Sequence, residues 1–443
     1  MKRTVPATIV GALAAAMVAM LFALALLAHD PLVFWNDDYE LSILPVCADI
    51  ARAWAHREFP LLSPYSWICG NLAGEFQYGV FSVFINSVII AIWKFPLLFS
   101  QQAAALSIVH LAVLSAGGFM LARGRNLCLP FSILVASIAG LNGWIICWGA
   151  TDWFGALGAF AWLPWAWWAA ERSLDPSRSA WRFLWPAPFV YLVITGGFPY
   201  TVLMLALVFA WVAARHLVEE RSLTGILPLV FGGAIGVGLG APAWLALLDY
   251  IRGSARQTQN PAAHFQWLIP PNAWPALILP AWTVNWANFS SQLMPHTGTE
   301  LACGLVPPAA LISAFITKSR ILWRTIRWEL ALLIIVALLA MLPTAGVFRW
   351  SFRWLPLFHL VLALSAAEAL RLTTGNQQSI RFARPGFVAL GLLLLLAVTM
   401  QLCGLQGEHA FPLTWILLAI AAVWACFELW WDQARLVRGW IPA

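Results

Sequence analysis

Apolar stretches long enough to cross a bilayer recur along this chain, separated by short basic clusters, and no water-soluble core can bury them all. A helix needs about 20 apolar residues to span the hydrocarbon layer. Runs of roughly that length, or somewhat shorter, lie at 8–28, 101–122, 127–148, 155–170, 183–196, 198–214, 224–248, 302–317, 329–345, 354–370, 386–403 and 412–431. The chain is 62% hydrophobic, only 10% charged, and carries 28 Trp in 443 residues. The pattern predicts an all-α polytopic membrane protein with about 12–13 transmembrane helices, a single membrane domain over 1–443. The first run follows Met1-Lys2-Arg3 and is too long for a secretory signal, so an uncleaved first span is expected.

The net charge is +6. Lys and Arg gather between runs, at Arg123-Gly124-Arg125, Glu171 to Arg182, Arg215 to Arg221, Lys318 to Arg327, Arg371 to Arg384 and from Arg435. That distribution is what membrane insertion requires of cytoplasmic loops, and it gives no support to nucleic-acid binding. The apolar segment Phe76 to Pro96 would reverse every later loop if it crossed, so it is expected not to span. Three polar segments then fall outside the cytoplasm: a first extracytoplasmic loop (29–75) carrying surface helices, a second large one (249–300), and the turn from Thr344 to Trp354.

The first loop holds the adjacent acids Asp37 and Asp38, followed by Tyr39 and by Ser42, Asp49 and Arg52 at helical spacing. Either acid alone is explained as a helix cap. Together, in so acid-poor a chain, they suit chemistry, because neighbouring carboxylates raise one another's pKa and favour proton acceptance from a hydroxyl. Cys47 and Cys69 lie in the same loop, where buried thiols and a disulfide are both compatible with the spacing.

The second loop offers Asp249, Arg252, Arg256, His264 and a run of aromatics interleaved with amides that includes Trp286. Rings stack on sugar C–H faces while amides and imidazoles bond hydroxyls, although Trp is also enriched at membrane interfaces for anchoring alone. In the third segment Arg349 and Arg353 stand at i and i+4, on one face if helical. Arginine grips phosphate bidentately, so the pair suits a lipid phosphate or pyrophosphate; headgroup anchoring is the competing role. Asp152 is either a further site acid or a cap for the helix after it. His110 and His359 are expected as core histidines, and Gly232, Gly236 and Gly240 as close helix contacts.

In order, these pieces resemble the YfhO-type membrane proteins of the GT-C glycosyltransferase superfamily. Asp38-Tyr39-Glu40-Leu41-Ser42-Ile43-Leu44-Pro45-Val46 is similar to that family's Asp-x-x-x-Gln-Tyr-x-Pro-Phe pattern, with Ser42 at the Gln position. Arg57 to Tyr65 resembles its Gly-Glu-Phe-Pro-Leu-Trp-Asn-Pro stretch, and Glu75 to Phe81, with Gln77, its Gln-x-Gly turn. Later echoes are Gly197-Phe198-Pro199-Tyr200-Thr201, Asp249 to Arg256, and Arg349 to Arg353.

The resemblance implies a GT-C-like fold and a bacterial inner-membrane enzyme. Such an enzyme takes a sugar from a polyprenyl-phosphate donor at the extracytoplasmic face and passes it to a cell-envelope glycan or lipid-linked acceptor. Asp38 would be the general base with Asp37 as its neighbour. Arg349, Arg353, Arg256 and Arg252 would hold the donor phosphate, and Asp249, Tyr39, Gln77, His264 and Trp286 would line the substrate site. A divalent cation, Mg or Mn, on Asp37 and Asp38 with Asp249 is compatible but not required. Two other classes compete: a transporter or flippase of a lipid-linked or small polar substrate, which would carry its polar groups at mid-membrane depth, and a non-catalytic envelope scaffold.

Overall fold

The computed structural model describes residues 5–65, 70–177, 179–255, 257–258, 260–269, 271–277, 301–374, 384–402 and 410–438. Among them it is all-helical, with one isolated bridge between Leu62 and Asn71 in place of any sheet. The helices are α1 (Val5–His29), α2 (Leu44–Ala55), α3 (Val83–Ile92), α4 (Phe99–Gly124), α5 (Leu129–Leu141), α6 (Phe154–Phe160), α7 (Leu163–Ser173) and α8 (Pro186–Thr195). They continue as α9 (Pro199–Glu220), α10 (Leu227–Leu239), α11 (Ala241–Ile251), α12 (Val306–Met341), α13 (Leu355–Thr374), α14 (Pro385–Leu402) and α15 (Ala410–Arg438).

In the described residues, four helices are long and apolar enough to cross a membrane: α1, α4, α9 and α13. The pair α10–α11, bent by 62°, makes up to five. Several of the other expected runs fold as shorter helices, and the sequence contains the reason. Pro164, Pro186 and Pro228 stand in the first turns of α7, α8 and α10, where proline starts a helix but cannot continue one. Apolar runs bounded in this way fold into helices of 10–13 residues. The expected runs 302–317 and 329–345 lie on either side of a break at Lys318 (φ −143°, ψ 38°), where two helices meet along α12. The segment Phe76 to Pro96 contributes only the 10-residue α3, about 15 Å long and too short to span, in line with the sequence reading.

Membrane character is visible in which side chains stay outside. In α1, Ala15, Ala19 and Ala23 form a buried stripe at i, i+4 and i+8, while Val10, Leu13, Met17 and Leu21 are exposed. Small residues inward and large apolar residues outward invert the pattern of a soluble helix and fit a helix set against lipid. The same outward display recurs at Val230, Phe231 and Val237 of α10, and at Ile334, Ile335 and Leu338 of α12. Gly236 permits close packing as expected, since a Cβ there would stand 2.5 Å from the Val190 Cβ of α8. By contrast, every residue of α13 from Leu355 to Leu370 is buried inside the protein. It is the central helix, surrounded by a core drawn from α4, α5, α7, α9 and α12.

A second, smaller core lies under the first loop. Ile43, Leu44, Val46, Cys47 and Ile50 pack with Leu72, Tyr78, Ile85 and Ile89, against Leu106 of α4 and Phe154 of α6. The stretch expected as an amphipathic helix is helical as α2, with its apolar face covered by the chain itself. Cys47 is a free buried thiol, and Cys69 lies outside the described residues.

Candidate functional site

Two unusual turns deliver the site's acids. After α1 the chain is pinned by the buried Phe34 and turns through Asp37, whose φ of 37° is rare for a side-chain-bearing residue and tolerated by Asp. Asp38 then leads into a π-helical turn, Tyr39–Ile43. A second π-helical turn, Ile145–Gly149, ends just before Asp152. Wide turns of this kind are uncommon and concentrate at functional positions.

One hydrogen-bond chain ties the two turns together. The Tyr39 hydroxyl bonds the Ser107 hydroxyl of α4 at 2.6 Å, and Ser107 donates to the carbonyl of Ala150 at 2.7 Å. Tyr39 is fully buried, which pushes its hydroxyl pKa upward, so it does not line a substrate site as the sequence suggested. Its ring is apolar enough to enter the core, and its polar tip finds a partner there. The result is positional: Asp38 and Asp152 are brought together by a residue between them.

Asp38 is partly buried. Loss of water around its carboxylate and the adjacent Asp37 push its pKa up, while the charges of Arg353 and Arg349 pull the other way with less effect. Asp152 is 7% exposed, and its Oδ1 has no hydrogen-bond partner. Burial, then Asp37 and Asp38, push its pKa up to about 7, although a hydrogen bond with Asn36 opposes them. The capping reading of Asp152 fails, because the N-terminus of α6 receives no side-chain cap. Three carboxylates thus share one corner, and Asp152 holds its proton up to near neutral pH.

The arginines reach this corner by a route the sequence did not suggest. Arg349 and Arg353 do not share a helix face: Trp350 between them is left-handed (φ 67°, ψ 80°), and only Ser351–Trp354 forms a helical turn. For a Trp this backbone costs on the order of 1–3 kcal/mol and persists only where its surroundings over-determine it. Those surroundings are aromatic. Trp350 stacks with Trp267 at 4.8 Å and with Trp153 at 5.6 Å, at interplanar angles of 19° and 10°. The Arg349 guanidinium lies 3.8 Å from the Trp350 ring centroid, and that of Arg353 lies 4.5 Å from Trp350 and 4.4 Å from Trp153. Phe198 and Tyr200, at the start of α9, are also within cation–π range of Arg353, at 5.1 and 5.5 Å.

The second loop supplies the backing. The backbone N–H of Phe352 donates to the Trp267 carbonyl, and that of Thr344 to the His264 carbonyl, at 3.2 and 3.1 Å. His264 places its ring Nδ1 3.1 Å from the Thr344 hydroxyl and 3.2 Å from the Phe348 carbonyl. Its role is to hold the arginine turn, which corrects its reading as a substrate ligand. Gln77 has an exposed side chain, and its carbonyl abuts Gly155 and Gly197 beside Trp153 and Phe198.

Asp249 and Arg252 are exposed at the end of α11, and neither is among the charges that act on Asp38. The structure does not gather them into the site, because α11 bends away from α10 and exposes its last turn. Arg256 and Trp286 lie outside the described residues. Among the described residues, no three His, Cys, Asp or Glu side chains are arranged to hold a metal ion. A cation cage from Asp37, Asp38 and Asp249 is not assembled. His110 and His359 are buried core histidines bonded to the Leu106 and Leu301 carbonyls.

A second group of charges sits where α4, α7, α9 and α13 end. Arg125 bonds Glu171 through its Nε at 3.1 Å and Glu329 through Nη1 at 2.8 Å, and Arg215 also reaches Glu329 at 3.3 Å. Arg371 pairs with Glu368 at 2.7 Å. A cavity of about 780 Å³ opens among them. Its buried charges neutralise one another, whereas the carboxylates of the first site crowd like charge together. No model of a known protein family matches the chain, and no curated protein is similar to it.

Proposed function

We propose that this chain is a glycosyltransferase that takes its sugar from a polyprenyl-phosphate donor and transfers it, at the extracytoplasmic face of a bacterial membrane, to an envelope glycan or lipid-linked acceptor. The observation that carries this reading is the meeting of Asp38 with Arg349 and Arg353 in one aromatic-walled corner. Asp38 accepts the proton of the acceptor hydroxyl. The freed oxygen forms a bond to the anomeric carbon, and the bond from that carbon to the phosphate oxygen breaks on the opposite side. The lipid phosphate leaves with its electron pair, and the two guanidiniums neutralise its charge.

Asp38 suits the base role because its raised pKa strengthens its hold on a proton and it remains reachable, unlike the deeply buried Asp152. Asp152 acts as its proton partner: held near half-protonation at neutral pH, it limits repulsion among the three acids while Asp38 changes charge. Trp153 and Trp350 form an aromatic wall that holds the arginines beside the acids. These polar groups gather at one end of α9 and α13, which favours an interfacial reaction over carriage through mid-membrane.

The test is incubation of the purified protein with a panel of polyprenyl-phosphate sugars, with detection of released lipid phosphate. Release by the natural chain and its loss in Asp38→Asn is the expected result. No release from any donor, or full release by Asp38→Asn, overturns the proposal.

A further inference from the structure

We infer that Trp350 is the positioning residue that sets both phosphate-binding arginines, the single indole on which Arg349 and Arg353 are jointly seated. The inference rests on the reading of those arginines as the phosphate site. The two are four residues apart on a segment that is not a continuous helix, so helical spacing does not align them. What they share is one ring: Arg349 lies 3.8 Å from its centroid and Arg353 4.5 Å. Arg353 is further confined by Trp153 at 4.4 Å.

A guanidinium over an aromatic face keeps its N–H edge directed sideways and occupies few of its many rotamers. Holding two long side chains ready in this way lowers the ordering cost that a phosphate would otherwise bear. The seat itself is fixed from behind. Trp350 is locked by the stack with Trp267 and Trp153, and its indole N–H donates to the Gln266 side-chain oxygen at 3.3 Å. Its left-handed backbone (φ 67°) also turns the chain so that residues on either side reach the same ring. A Trp kept in a conformation that glycine or asparagine adopts more readily indicates that the ring is what the position needs.

The experiment measures binding of farnesyl phosphate to the full chain in lipid nanodiscs, with farnesol as the uncharged control. Trp350→Phe keeps a ring face, and Trp350→Leu keeps apolar bulk without one. Thermal unfolding first establishes which variants fold. Trp350→Leu is expected to weaken farnesyl phosphate binding about tenfold and leave farnesol binding unchanged; Trp350→Phe is expected to retain most of the affinity. In an Arg349→Ala/Arg353→Ala background, Trp350→Leu is expected to add almost nothing. Equal losses for Phe and Leu, no loss for Leu, or a full further loss in the arginine-free background would each overturn the positioning role. The underlying reading fails separately, if the arginine double variant still prefers farnesyl phosphate to farnesol as strongly as the natural chain.

Discussion

The two ends of α9 and α13 treat buried charge in opposite ways. Where these helices finish, Arg125 stands between Glu171 and Glu329, and Glu329 is shared with Arg215, so each buried ion meets its opposite. Where they begin, Asp37, Asp38 and Asp152 are pressed together and the Asp152 Oδ1 is left without a hydrogen bond. The first arrangement lowers the energy of one fixed charge state. The second keeps protonation adjustable, which a stabilising network has no reason to do and a proton-transferring site requires. The arginines differ too: Arg125 is ion-paired with carboxylates at hydrogen-bond distance, whereas Arg349 and Arg353 pack against ring faces, which orient a cation.

The sharpest break of this contrast separates activity from stability. Asp38→Asn is expected to lower sugar transfer by about 10²–10⁴-fold, the range a general base supplies, with the thermal midpoint nearly unmoved. Arg125→Met should do the reverse. It removes the cation that Glu171 and the buried Glu329 share and leaves Glu329 with Arg215 alone, so the cost approaches the about 3–5 kcal/mol of losing one partner of a buried pair. A detergent-solubilised melt of Arg125→Met that overlays the natural chain would show that the network does not hold the helix ends. Arg353→Lys keeps the charge and loses the planar stacking, so a loss of about tenfold is expected in kcat/KM for a lipid-phosphate donor.

A further test concerns pH. The Asp152 pKa is raised to about 7 from an ordinary 3.8, so between those values the folded protein holds more protons than the unfolded chain. Stability therefore falls as pH rises from about 4 to 7. Asp152→Asn removes that slope, and thermal midpoints measured across pH 4 to 8 should flatten. An unchanged slope in Asp152→Asn would assign the proton to another group.

How much of this was legible in the sequence depended on whether a residue had competing explanations. Asp37, Asp38, Arg349 and Arg353 stood out because charges are scarce in this chain, and the structure brings all four to one place. Asp152 was visible, but its place before a helix invited a capping role that only the absence of a cap bond removed. Tyr39 and His264 looked like substrate ligands because polar aromatics in a loop usually face water; here the tertiary fold turned both inward as fasteners. Helical content was plain from the apolar runs, whereas the helix boundaries were not. Local proline breaks and the Lys318 kink decide where one helix stops, and hydropathy averages across them. The seating of two arginines on Trp350 had no sequence signal, since it depends on a left-handed residue and on rings contributed from residues 153 and 267.

Because α13 carries Arg353 just before its first turn and Glu368 and Arg371 near its last, it works as a drive shaft with a feature keyed to each end. One additional residue in its middle, between Val361 and Ser365, would rotate one key against the other by about 100° and lengthen the shaft by about 1.5 Å. With that helix buried from Leu355 to Leu370, no lipid layer is available to absorb the twist. The angular phase between the acid corner and the ion-paired corner is thus a built-in dimension of the molecule, set by residue count alone.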